Sequence, residues 1–324
     1  MASIKYENVY LNDYFTIGGK VESEGLIKNY NITLADYYYG EKTFEDAEVK
    51  MQRVVIDNLL RRVKLKDKNI DLVVGGELSN QIATTNYTLK NYDIPFLGVY
   101  SACASFIESL IILANMIGSS IINKGIALTS SHNLTSEKQF RFPCEYGAPK
   151  PDYTTFTATG CVGALISSEF GIVKLESATI GKVIDKNIKD VFHMGAVMAP
   201  GAADTLNRHL KDLHRDSNYY DVIITGDLGS IGKKIFLNIL NKQYKIKLKN
   251  HLDAACEIYA DEQKTLAGAS GPAALPLYLC TKVLREKKYK KILLIGTGAL
   301  HSPVMINQKH SIPGIAHLIS LEVQ

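Results

Sequence analysis

Between Thr43 and Val63 the apolar residues Ala47, Met51, Val54, Val55 and Leu59 recur at a spacing of three to four, which places them on one face of a helix. Thr43 stands where its hydroxyl can accept from an orphan amide, and Arg61 and Arg62 stand where a helix dipole favours cations. The pattern predicts an amphipathic helix over 43–63. Elsewhere the apolar residues form short unbroken runs: Leu72–Val74, Phe96–Val99, Ile126–Thr129, Val222–Thr225 and Ile292–Ile295. Each is bounded by glycine, proline or charge, which reads as a strand buried on both faces. Strands alternating with helices predict α/β layers.

The pattern occurs twice. Ile70–Asn80 (IDLVVGGELSN) and Tyr220–Ile231 (YDVIITGDLGSI) align Asp71 with Asp221, 150 positions later. In the same order, SACAS at Ser101–Ser105 matches AGAS at Ala267–Ser270, and KGIALTSSH at Lys124–His132 matches KKILLIGTG at Lys290–Gly298. Two long copies indicate duplication rather than a solenoid, whose units are shorter and more numerous. The expected architecture is two halves, 1–170 and 171–324, whose sheets enclose a central pair of helices, one after Ala102 and one after Ala267.

Composition narrows the class. With 324 residues, 46% of them hydrophobic, the chain can bury a large core. Its five cysteines, Cys103, Cys144, Cys161, Cys256 and Cys280, are scattered and form no C-x-x-C pair. That argues against a disulfide framework or a zinc site and for a reducing compartment. The N-terminus has no signal pattern, and the most apolar stretch, Phe106–Ile122, is broken by Glu108, Asn115 and serines, so no membrane span is predicted. The net charge of +4 gathers in the lysine tracts Lys242–Lys249 and Lys282–Lys291, which read as solvated faces and not as a stripe for nucleic acid.

The chemistry centres on Cys103. It sits where the strand at 95–99 turns into the apolar helix Phe106–Ile117, facing the amides and positive end of that helix, a place that lowers a thiol pKa and attracts anions. A small buried residue between Ala102 and Ala104, chosen so that two helices can approach, is the equally good structural reading. His301, in a glycine-rich turn, reads first as a hydrogen-bonded structural residue. His209 and His214 lack the i, i+4 spacing of helical metal ligands.

The SACAS turn resembles the nucleophile turn of thiolases and ketoacyl synthases, and Thr159–Ile166 (TGCVGALI) resembles the glycine-rich start of one of their strands. Four further stretches are similar to the stage V sporulation protein AD family: Ser130–Gly147 (SSHNLTSEKQFRFPCEYG), Met194–Leu206 (MGAVMAPGAADTL), Thr225–Leu228 (TGDL) and Thr297–Ile306 (TGALHSPVMI). The resemblance implies a thiolase-like five-layered αβαβα sandwich. Where condensing enzymes carry a histidine this chain has Asp227, and where they carry asparagine it has Ala267, Gly268 and Ala269, so the resemblance implies a fold that keeps the nucleophile position and loses its partners.

What the resemblance implies for function is a non-catalytic, cytoplasmic binder of dipicolinic acid, alone or with calcium, peripherally associated with the forespore membrane. It would act with integral membrane subunits and pair as a homodimer through the edge at 94–99. The ligand-binding candidates are Cys103, Ala104 and Ser105 at the helix start, Ser131, His132 and Asn133 after the strand, Asp227, Ser270 on the second central helix, and His301. No resident cofactor or metal is expected. Ala254 and Ala255 in HLDAAC, and His301, depart from the family pattern and put the ligand's identity in question. A Cys103-dependent acyltransferase and a structural scaffold are the competing functions.

Overall fold

The computed structural model describes residues 3–140 and 149–324. Cys144 and the end of the Ser130–Gly147 stretch lie outside the described residues. In chain order the first part runs β1 (Ser3–Lys5), β2 (Tyr10–Gly18), α1 (Lys20–Glu24), β3 (Ile32–Thr33), α2 (Phe44–Arg62), β4 (Leu72–Gly76), α3 (Ala83–Leu89), β5 (Phe96–Gly98), α4 (Ser105–Gly118), β6 (Lys124–Ser131), α5 (Asn133–Phe140), β7 (Phe156–Thr157) and β8 (Gly160–Ser167). The second runs β9 (Val173–Thr179), α6 (Met194–Asp212), β10 (Val222–Thr225), α7 (Gly229–Ile239), β11 (His251–Asp253), β12 (Ala269–Ser270), α8 (Ala274–Tyr278), α9 (Leu284–Glu286), β13 (Lys291–Ala299), α10 (Pro303–Asn307) and β14 (Gly314–Val323).

The predicted helix at 43–63 is α2, with Thr43 Oγ1 accepting from the Asp46 amide at 3.1 Å. The strands order as β5-β4-β6-β8-β2 and, with the same sequence of parallel and antiparallel neighbours, β11-β10-β13-β14-β9; β2 and β9 join the two through one short antiparallel contact. Side chains alternate across each strand, and this sorts them into layers. Leu72, Val74, Ala127, Val222, Ile224, Ile292 and Leu294 face one central core, which also holds Phe106, Leu110 and Leu113 of α4 and Leu275 and Leu277 of α8. Val73, Ile126 and Leu128 point the other way, onto Met51, Val55 and Leu59 of α2. Ile223, Leu293 and Ile295 point onto Met198, Ala202 and Leu206 of α6. The result is the αβαβα sandwich, with α4 and α8 filling its middle layer.

The duplication extends to single hydrogen bonds. Asp71 Oδ2 accepts from the amides of Asn123 and Lys124, at 2.8 and 3.0 Å, and Asp221 Oδ2 accepts from those of Lys290 and Lys291, at 2.7 and 2.8 Å. Lys124 therefore corresponds to Lys291, one residue later than matching the two sequence segments from their first lysines suggests. Two further expectations change. β5 is an edge strand, not one buried on both faces: Leu97 is 45% exposed. The second central helix begins four residues after Ser270, because Ala269–Ser270 is drawn into the strand β12 beside β7 and the chain turns through Gly271.

Candidate functional site

Three segments converge on one pocket. After β5 the chain passes through Ala102 with φ +49°, a left-handed conformation that strains any residue with a Cβ. The turn is held from within. Ser105 Oγ donates to the Ala102 carbonyl at 2.7 Å and accepts from the Ser101 amide at 3.1 Å, and Ser101 Oγ donates to Glu108 at 2.6 Å. Gly298 of β13 lies against this turn; a Cβ there would come within 2.2 Å of the Ser101 carbonyl oxygen, so only glycine allows the approach. Cys103 is thereby set, half-buried, at the wall of the pocket.

Opposite it, at the end of β10, stands Asp227. Its carboxylate accepts from Thr297 Oγ1 at 2.6 Å and from the Gly271 amide at 3.2 Å, and it shares the pocket wall with Cys103. Burial pushes the Asp227 carboxyl up to about 6, with these donors opposing the rise. The thiol departs from its sequence expectation. Burial first, then the Asp227 charge, drive the Cys103 pKa well above its usual value, against weaker help from the Gly271 amide. The helix-terminus effect is outweighed because the amides of Ala104 and Ser105 are already bonded to the carbonyls of Ser101 and Ala102 in a tight first turn, and because a carboxylate sits at the thiol. At neutral pH the geometry holds Cys103 as a thiol.

The pocket has about 540 Å³ of empty space, its open mouth included, and is lined by apolar Leu78, Tyr100, Phe140, Met194 and Met198 together with polar Ser136, Thr157, Ser270 and His301. His301, buried, stacks on Phe140 with ring centroids 5.1 Å apart. Of the sequence candidates the structure brings Cys103, Asp227, Ser270 and His301 to the pocket. Ser270 does so from β12 and not from a helix. Ala104 and Ser105 face inward and are buried behind the turn, since successive helical residues point in different directions.

Ser131, His132 and Asn133 are also buried away from the pocket. Ser131 Oγ donates to the Ala158 carbonyl at 2.7 Å and Asn133 Nδ2 to the Thr157 carbonyl at 3.1 Å. His132 Nε2 donates to the Tyr37 carbonyl at 2.8 Å while its ring stacks on Phe44. These three pin α5 in place. His209 is likewise structural, held between Thr179 Oγ1 at 2.7 Å and Tyr220 Oη at 2.6 Å. Sequence reasoning missed Thr297, Met194 and Met198, although all three lie in the stretches that carry the resemblance; the signal was present without a role attached to it. Among the described residues no cluster of His, Cys, Asp and Glu is arranged to hold a metal ion, and no helix is long and apolar enough to cross a membrane.

The family model for stage V sporulation protein AD matches residues 3–322. The stage V sporulation protein AD of Bacillus subtilis (strain 168) is 38% identical over 319 residues, 97% of this chain and 94% of that protein. The chain belongs to the stage V sporulation protein AD family. Solved structures place the fold of this family member among thiolase-like proteins. An OleA variant from Xanthomonas campestris superposes with a TM-score of 0.60 at 13% identity, over 97% of this chain and 99% of that one. The 3-oxoacyl-(acyl carrier protein) synthase III of Xanthomonas oryzae pv. oryzae does so with a TM-score of 0.56 at 11% identity, over 98% of this chain and 100% of that one.

Proposed function

We propose that this sporulation-family protein is a non-catalytic thiolase-fold binder of dipicolinic acid, which it receives for uptake into the forespore. The observation that carries the reading is that Cys103 and Asp227 line the same pocket: a nucleophile needs a base or a positive field beside it, and this one shares its pocket with a buried carboxylate. The pocket itself is kept. Its aromatic and methionine walls suit a flat pyridine ring, and Ser136, Thr157, Ser270 and His301 offer polar contacts for the two carboxylates. Asp227 repels a bare dianion and favours a ligand that arrives with calcium. Calorimetric titration with dipicolinate, with and without calcium, tests the reading; no binding under either condition would leave the scaffold function in its place.

The second reading, a Cys103-dependent acyltransferase, draws on the strained left-handed residue Ala102 ahead of the cysteine, a conformation maintained at some energetic expense. Partners follow from the first reading. Integral membrane subunits would receive the ligand, with the protein held peripherally on the cytoplasmic side of the forespore or spore inner membrane. A homodimer would form through β5, where Leu97 within the strand and Tyr100 just beyond it are 45% and 42% exposed. Sedimentation of the purified chain tests the dimer.

A further inference from the structure

The stretch His251–Cys256 has no part in the pocket, yet its Asp253 is buried without any exposed surface and its hydrogen bonds converge on one loop. Asp253 Oδ2 accepts from Thr225 Oγ1 at 2.6 Å and from the Leu228 amide at 3.2 Å. Its Oδ1 accepts from the Gly229 amide at 3.0 Å, with the Cys256 thiol at 3.7 Å. Thr225, Leu228 and Gly229 flank Asp227 on both sides. The Ala255 amide adds a bond to the Gly226 carbonyl at 3.1 Å. The loop is thus gripped from behind at every residue except Asp227, whose own carboxylate is left to face Cys103, Gly271 and Thr297. His251 Nε2 lies 2.9 Å from Thr225 Oγ1; because the threonine hydrogen goes to Asp253, the imidazole donates and orients the hydroxyl. Gly229 completes the loop at φ +70°, a conformation open to glycine without strain.

We infer that Asp253 is the positioning residue of this site, holding the 225–229 loop so that the Asp227 carboxylate meets the Cys103 thiol. The inference concerns the state of the thiol and holds whichever ligand fills the pocket. Alkylation by iodoacetamide at pH 8, followed on the peptide that carries Cys103, tests it. Asp227→Asn removes the charge facing the thiol and should speed labelling of Cys103, about tenfold for each unit by which its pKa falls. Asp253→Ala should reproduce that acceleration. The double variant should label no faster than Asp227→Asn alone, because both changes act on one contact. Asp253→Asn keeps an oxygen for the amides and should return the rate toward that of the parent protein. A folded Asp253→Ala protein that labels Cys103 at the parent rate would overturn the inference. So would additive rates in the double variant accompanied by new labelling at buried Cys161 and Cys280, which signal general loosening. Should Asp253→Ala not fold, Thr225→Val removes one of the four bonds and is read by the same two outcomes.

Discussion

Cys103, from the first half of the duplication, and Asp227, from the second, line one pocket, where the charge of the carboxylate acts on the thiol. Burial first, and then the charge of the carboxylate, keep the thiol protonated. The purified protein should therefore transfer no acyl group from acetyl or malonyl thioesters above a Cys103→Ala control. A rate that collapses in that control would favour the acyltransferase over the binder.

Asp227 also sets the sign of the ligand's electrostatics. Its carboxyl titrates at about 6, so it is mostly charged at pH 7.5 and mostly neutral at pH 5. If dipicolinate enters as a bare dianion, Asp227→Asn should tighten binding at pH 7.5 and change little at pH 5. If the calcium chelate is recognised, the same substitution should weaken binding at pH 7.5. Calorimetry at the two pH values, with and without calcium, separates the cases; no effect of Asp227→Asn under any condition means that the ligand binds elsewhere.

The pocket wall and the residues behind it should respond differently to substitution. Ala104 is fully buried with Gly296 of β13 close beside it, so a larger side chain there must displace packed neighbours. Ala104→Leu should lower stability by about 1–3 kcal/mol through overpacking, read by denaturant titration. His301→Ala removes one face of the stacked pair with Phe140 and leaves the core intact. It should weaken dipicolinate binding by about 1 kcal/mol, close to a fivefold rise in Kd, with little loss of stability.

Buried carboxyls and imidazoles give the stability a definite pH dependence. Burial raises Glu22 and Asp253 to about 7 and Asp227 to about 6, whereas the unfolded values lie near 4. The folded state thus holds protons that the unfolded state has released, and the stabilisation they bring is lost as pH rises through 6 to 7. Burial lowers His209 and His251 to about 3 and His317 to about 4, so below about 6.5 the unfolded chain binds protons that the folded one refuses. Between pH 8.5 and 6.5 these carboxyls alone would raise the unfolding free energy by about 2 kcal/mol, and the three histidines, half protonated at pH 6.5 in the unfolded chain, take back about 1 kcal/mol of it; below pH 6.5 the two sets offset and the curve levels off. Denaturant titration across that range checks it, and stability that climbs steadily from pH 6.5 to 8.5 would contradict these assignments.

What the sequence determined by itself was whatever is encoded in local periodicity. The helix at 43–63, the strand cores at 72–74 and 222–225 and the Asp71–Asp221 correspondence are legible because side-chain direction follows from backbone period alone, and the family followed from stretches whose spelling is specific. The tertiary structure decided the rest. Cys103 reads as an activated thiol when only its own helix is considered, because a helix terminus acts over one turn of chain. The stronger effects are burial first and then the charge of Asp227, both decided when the start of α4 packs against β13 and the pocket closes around the sulfur. Ala104 and Ser105 share the neighbourhood of Cys103 in sequence but not in space, and His132 follows its strand directly yet turns into a niche between Tyr37 and Phe44. Sequence order fixes which residues are near one another along the chain; which charge faces which thiol in a site shared between two halves is fixed only when the halves close on each other and exclude water.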